Sequence, residues 1–146
     1  MLSPDFREFV ELLNKNEVQY MIVGGYAVGF HGHPRYTGDL DIWLLPEKNN
    51  AKKILTAIKE FGFGSLGITE KDLSTEEMII QLGYPPLRID LLTSIDGVKF
   101  EESFPMRKTA DIDGLTVNFI SYADLIKNKK ASGRHQDLGD IENLEK

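Results

Sequence analysis

The chain contains no cysteine. Disulfides, iron–sulfur clusters and thiolate zinc sites are therefore excluded, and any metal must be held by oxygen or imidazole. No segment approaches the roughly 20 apolar residues of a membrane-spanning helix. The opening stretch MLSPDFREFVELL lacks the basic head and unbroken apolar run of a secretory signal, so the expectation is a cytoplasmic protein without membrane contact. Basic residues are in deficit, 17 Lys and Arg against 23 Asp and Glu for a net charge of −6. That balance argues against a broad basic surface for nonspecific nucleic-acid binding. It still allows a nucleotide, or one structured RNA, held through metal and a small basic patch. Internal repeats, low-complexity tracts and linkers are also missing, and 146 residues make one ordinary domain spanning 1–146. Apolar residues at 41% and charged residues at 27% fit a globular chain with a real core.

The patterning alternates helical and extended stretches, which predicts an α/β (α+β) domain with a central sheet flanked by helices. Ser3-Pro4 is a helix start, and Phe6, Phe9, Val10 and Leu13 recur at helical spacing from Pro4 to Lys15. Gln19 to Val23 reads as a short apolar strand, ended by Gly24-Gly25 and followed by a short helix over Tyr26 to His31. Leu40 to Leu45 is a second strand. A helix over Ala51 to Phe61, capped by Asn49 or Asn50, ends at Gly62. A short helix over Thr69–Leu73, a strand over Met78 to Leu82, a turn over Gly83-Tyr84-Pro85-Pro86 and a strand over Leu87 to Leu92 follow. Glu101 to Arg107 reads as a short helix or irregular, and Leu115 to Phe119 as a last strand. Two short C-terminal helices close the chain, Tyr122 to Ala131 and Gln136 to Leu144, the second with Leu138, Ile141 and Leu144 facing inward.

The chemistry concentrates in MIVGGYAVGFHGHPRYTGDLDIWLL, residues 21–45. Asp39 and Asp41 lie two apart on a strand, so they share a face with Cα atoms roughly 6.5–7 Å apart. Neighbouring anions on one face repel and call for a compensating cation, a divalent metal by preference. Asp90 is a third acid inside an apolar strand, sharing its face with Arg88 and Leu92. Three such acids converging would make an oxygen site for two ions, Mg²⁺ or Mn²⁺ rather than zinc. Gly24-Gly25, at a strand-to-helix turn, lets backbone N–H groups approach an anion closely.

This combination resembles the DNA polymerase β-like nucleotidyltransferase superfamily. Its signature is a glycine pair, or Gly-Ser, after a strand, a short helix, then Asp-apolar-Asp-apolar on the next strand. Here those are Val23-Gly24-Gly25 and Asp39-Leu40-Asp41-Ile42, with Asp90 in Arg88-Ile89-Asp90-Leu91 as the third acid. Arg35 and Thr37, ahead of Asp39, match the approach in small stand-alone bacterial members, among them nucleotidyltransferase toxins of type IV toxin–antitoxin systems. Lys129, followed by Arg134, Asp137 and Asp140, resembles the C-terminal segment of the same small proteins. Gly25 stands where many relatives have serine, which leaves the phosphate contact to the backbone.

The resemblance implies the nucleotidyltransferase fold and a two-ion transfer of a nucleoside monophosphate from a nucleoside triphosphate such as ATP. Asp39, Asp41 and Asp90 would be metal-binding and catalytic, with Asp90 the candidate general base. Gly24, Gly25, Arg35, Thr37 and Lys129 would bind the nucleotide. The acceptor is an RNA, a protein or a small molecule, and a partner chain can supply part of its site. The competing reading is a nucleotide-binding or antitoxin-like partner module that transfers nothing; the presence of all three acids favours the enzyme. Other polar residues carry plainer readings. His31 and His33 read as solvated loop residues, Arg134 and Asp137 as a structural ion pair, and Asp140 as a brace of the same helix. Lys127, Lys129 and Lys130 form a charge run of the kind that ordinarily faces water. Trp43 shares the face of Asp39 and Asp41, lining a pocket or packing in the core.

Overall fold

A computed structural model describes residues 2–34, 37–84 and 87–146. Helix α1 (Pro4–Lys15) begins where the sequence places it: Ser3 caps it, its hydroxyl accepting from the Phe6 N–H at 3.2 Å, with Pro4 in the first turn. Strand β1 (Tyr20–Val23) is buried along its whole length. It leads without a separate turn into α2 (Gly24–Phe30), so the glycine pair is the first turn of the helix itself. Strand β2 (Asp39–Leu44) starts one residue earlier than its apolar run suggests.

Helix α3 (Lys48–Phe61) also begins before the asparagines expected to cap it. Asn50 instead is buried, its side chain accepting from the Gln19 N–H at 2.8 Å and donating to the Gln19 and Leu45 carbonyls at 3.1 Å each. It staples the strand ends to the helix. Gly62 ends α3 in the left-handed conformation at φ 101°. Helix α4 (Glu70–Ser74) is closed by a reciprocal cap between Thr69 and Asp72. Strands β3 (Ile79–Tyr84) and β4 (Leu87–Leu92) follow, β3 running through Gly83 and Tyr84 where a turn is expected. Pro85 and Pro86 of that expected turn lie outside the described residues.

Helix α5 (Phe100–Ser103) is a single turn extended by a 3-10 turn over Phe104–Met106. Next comes β5 (Lys108–Ile112), a strand its charged sequence KTADI hides, then β6 (Leu115–Phe119). Helices α6 (Tyr122–Ser132) and α7 (His135–Leu144) complete the fold.

The strands form one mixed sheet in the order β3-β4-β2-β1-β6-β5. β2 and β4 are parallel neighbours, while β1–β2, β3–β4 and β5–β6 are antiparallel. Strand alternation sorts the faces. Leu40, Ile42 and Leu44 of β2 and Leu91 of β4 are fully buried in the core with Phe6, Phe9, Val10 and Leu13 of α1 and Ala51, Ile54, Ala57 and Ile58 of α3. The intervening positions, Asp39, Asp41, Arg88 and Asp90, project from the opposite face. α7 departs from expectation: Leu138 is half exposed, and Asp137 and Asp140 turn inward with Ile141. Those two acids take the inner face because a buried cation on α6 pairs with them.

Candidate active site

Backbone register assembles the site. Val23 on β1 faces Asp41 on β2, Asp41 faces Asp90 on β4, and Asp90 faces Gln81 on β3. One step along, Asp39 faces Arg88. Adjacent strands are about 4.8 Å apart, so acids 49 and 51 positions apart in sequence become side-chain neighbours. The three acids line a cavity of about 620 Å³ together with Gly24, Gly25, Thr37, Arg88, Gln81 and Lys129.

The glycine pair meets the acids directly. Gly24 has φ +66°, and a Cβ on it would stand 2.2 Å from Oδ2 of Asp41, so no other residue fits beside that carboxylate. The Asp41 carboxyl is pushed up to about 7, first by burial and then by the charges of Asp90 and Asp39. Among the described residues nothing donates a hydrogen bond to it. Thr37 lines the cavity with its hydroxyl 3.3 Å from the Asp39 carbonyl, which it donates to. Arg35 lies outside the described residues.

Arg88 is the component that sequence reasoning did not assign. Its Nε donates to Asp90 Oδ1 at 2.8 Å, and its Nη2 to Asp90 Oδ2 at 3.1 Å and Asp39 Oδ2 at 2.9 Å. The hydrogen bond to Asp90 holds the guanidinium above its ordinary pKa. Half of the signal was available: a residue two before a strand acid shares its face, whereas its place opposite Asp39 comes from the parallel register of β2 and β4.

Lys129 closes the other side. It is buried while Lys127 and Lys130, beside it in the run, are exposed. Its Nζ lies 3.2 Å from Asp137 and 2.9 Å from Asp140. Arg134 grips Asp137 through Nε at 2.8 Å, the structural ion pair expected of them. Burial pushes the Asp137 carboxyl up, but the hydrogen bonds from Arg134 and Lys129 outweigh it and leave it below its ordinary value. Lys129 still lines the cavity and acts electrostatically on Asp41.

The remaining residues fall away from the acids. Nε2 of His31 sits 2.7 Å from the Ile120 carbonyl, so this ring is anchored rather than solvated, while His33 is partly buried. Trp43 packs in the core against Phe100.

A mixed sheet that brings paired acids on one strand beside a third acid on its parallel neighbour, next to a glycine turn, defines a nucleotidyltransferase. The chain belongs to the family described as nucleotidyl transferase of unknown function (DUF2204), whose model matches residues 3–146. Solved structures of similar fold include a provisionally assigned nucleotidyltransferase from Thermotoga maritima, 17% identical over 99% of this chain and 91% of that one, with a TM-score of 0.58. An antigenic nucleotidyltransferase-like protein from Paracoccidioides brasiliensis is 17% identical over 98% of this chain and 77% of that one, TM-score 0.56. ANT(2″)-Ia in complex with adenylyl-2″-tobramycin is 10% identical over 94% of this chain and 83% of that one, TM-score 0.57. No curated protein matches the chain. Among the described residues no helix is long and apolar enough to cross a membrane.

Enzymes of this class take a nucleotide substrate and work with divalent metal ions. Among the described residues no three acidic or imidazole groups stand close enough to grip an ion together as they are, and Arg88 engages two of the three acids. The donor chemistry nonetheless fits. Three carboxylates with no sulfur or imidazole suit a hard divalent cation. A carboxylate offers about four lone-pair sites, so Arg88 leaves acceptor capacity on Asp90 and Asp39. Asp41, crowded by two like charges, has no cation paired with it among the described residues.

Proposed function

We propose that the protein transfers a nucleoside monophosphate from a nucleoside triphosphate, ATP among the candidates, to a hydroxyl of an RNA, a protein or a small molecule. The observation that carries this reading is the register row Asp41–Asp90 with Asp39 beside it, facing Gly24 and Lys129 across one cavity. Asp39, Asp41 and Asp90 would hold the metal, two ions of Mg²⁺ or Mn²⁺. When bound, such ions neutralise phosphate charge and favour ionisation of an acceptor hydroxyl. The chain's own groups do the positioning. Gly24 and Gly25 lie at the start of α2, where backbone N–H groups lack intrahelical partners and can donate to phosphate oxygens. Lys129, held by two carboxylates, keeps a fixed Nζ whose remaining hydrogen is available to the triphosphate. Thr37 and Arg35 would complete the phosphate contacts. Asp90, last of the acids before Gln81 and the open sheet edge, borders the acceptor side. The adenylylated tobramycin bound to ANT(2″)-Ia is a product of the proposed type.

The test is incubation with Mg²⁺ and each labelled nucleoside triphosphate, with and without total RNA. Label is expected on an acceptor and is expected to vanish in Asp39→Ala and Asp90→Ala. Nucleotide binding with no pyrophosphate release under any acceptor condition would sink the proposal and favour the non-catalytic module.

A further inference from the structure

The two edges of the sheet are built differently. The outer edge at β5 carries exposed Lys108 and Asp111, and the Arg7 guanidinium ties down its far end by donating to the carbonyls of Ile112 and Asp113 at 3.0 and 2.8 Å. Charged side chains on an edge discourage pairing with another chain. The opposite edge, β3, has the sequence IIQLGY, without a single charge. Ile79 is 64% exposed and Tyr84 86% exposed, and Leu87 across the hairpin is 46% exposed. Among the described residues no strand pairs the outer side of β3. The six-residue strand presents unpaired backbone N–H and C=O groups beside exposed apolar side chains, a ready template for an added strand.

From this contrast we infer that β3 is a dimer interface, pairing antiparallel with β3 of a second copy to make one continuous sheet. Charge selects both the partner and its direction. A chain of net charge −6 repels its own copy, so self-association needs a neutral strip, and β3 is the neutral edge. Glu76 and Glu77 precede β3, separated from it by Met78 alone. Parallel pairing would stack those acids on each other, whereas antiparallel pairing sends the two sets to opposite ends. Antiparallel pairing about a two-fold axis is also self-complementary and closed, so it stops at two chains.

The contact bears on the site. Ile79 and Gln81 both line the cavity of the acids, and Gln81 is the cross-strand neighbour of Asp90. A two-fold axis normal to the sheet keeps the faces matched, so both cavities open on the same side, and each is walled at its edge by the partner's β3. An acceptor bound beyond Asp90 would then meet residues of both copies.

Sedimentation velocity over a wide concentration series tests this directly. The full chain is expected to sediment with the mass of two chains. Ile79→Lys and Gln81→Glu each place like charges near the axis and are expected to halve that mass. Thr109→Lys on the β5 edge is the control and should leave the dimer intact. A wild-type chain that stays monomeric throughout overturns the inference. So does a dimer indifferent to both β3 substitutions, which would put the interface elsewhere. If a charged variant fails to fold, Ile79→Cys and Gln81→Cys replace it. The chain has no other cysteine, so a disulfide-linked dimer under mild oxidation supports β3 pairing, and the absence of any cross-link from both overturns it.

Discussion

Asp41 is the most stressed group in the site, and its stress has a measurable sign. Its native carboxyl titrates near 7 while an unfolded one titrates near its ordinary value of 3.8. Between those values the native state binds more protons than the unfolded state, so stability falls as pH rises through that window. Below about 4 both states are protonated and the penalty is absent; above about 7 it is complete. Three pKa units correspond to about 4 kcal/mol, an upper bound at a half-buried position where solvent screens the repulsion. Asp41→Asn is therefore expected to raise the metal-free protein's stability by roughly 1–3 kcal/mol at pH 8. It should change stability little at pH 4 and abolish transfer. Urea denaturation at the two pH values, in the presence of a chelator, measures the difference. An equal effect at both would refute the electrostatic account. The residue gives up stability for a position that a bound cation would relieve.

The α6–α7 hairpin shows the same economy in a whole element. Lys129, Asp137 and Asp140 are buried together, and Arg134 on Asp137 brings the group to neutrality. Removing one member leaves an uncompensated buried charge, which costs about 3–5 kcal/mol. Lys129→Met should lose about that much in urea denaturation, and Asp140→Asn should also destabilise, since Lys129 then rests on Asp137 alone. The double variant is expected to lose clearly less than the sum, because a neutral pair has been removed. Strict additivity would mean that the groups do not act together. Such a cluster is hard to read beforehand. Leu138, Ile141 and Leu144 have helical spacing, yet Leu138 faces water because the inward positions hold Asp137 and Asp140, whose shared partner Lys129 lies back on α6. Strand alternation, by contrast, was fully legible: Asp39, Asp41 and Asp90 sit on the face their spacing demands. Register between strands was not, so Arg88 bridging Asp39 and Asp90 could only be seen in three dimensions. β5 escaped notice because its edge position selects charged residues over the apolar alternation that marks a strand.

Across the molecule, the charge distribution makes metal and nucleotide binding interdependent. The cavity contributes Asp39, Asp41, Asp90 and Asp96 against Arg88, Lys129 and Arg134, and all three of those cations are already engaged with carboxylates at hydrogen-bond distance. A triphosphate entering this setting meets net negative charge on a chain that is itself at −6. The nucleotide alone should therefore bind weakly, and a divalent cation alone should bind through the carboxylates with modest affinity. Together each removes the repulsion that opposes the other, and the coupling must be reciprocal. A ligand pair at about 100 times its Kd adds roughly 2.7 kcal/mol to stability. For a domain of this size that is a rise in Tm of the order of 5–10 °C. Thermal melts with Mn²⁺ alone, a non-hydrolysable nucleoside triphosphate alone, and both together are expected to show a combined shift larger than the sum of the separate ones. Chelator should erase the nucleotide's contribution, and Asp39→Ala should erase the synergy while leaving the fold intact. A nucleotide that stabilises the protein equally in chelator would mean that Lys129, Arg134 and the glycine turn bind triphosphate unaided, and would remove the acids from the binding step.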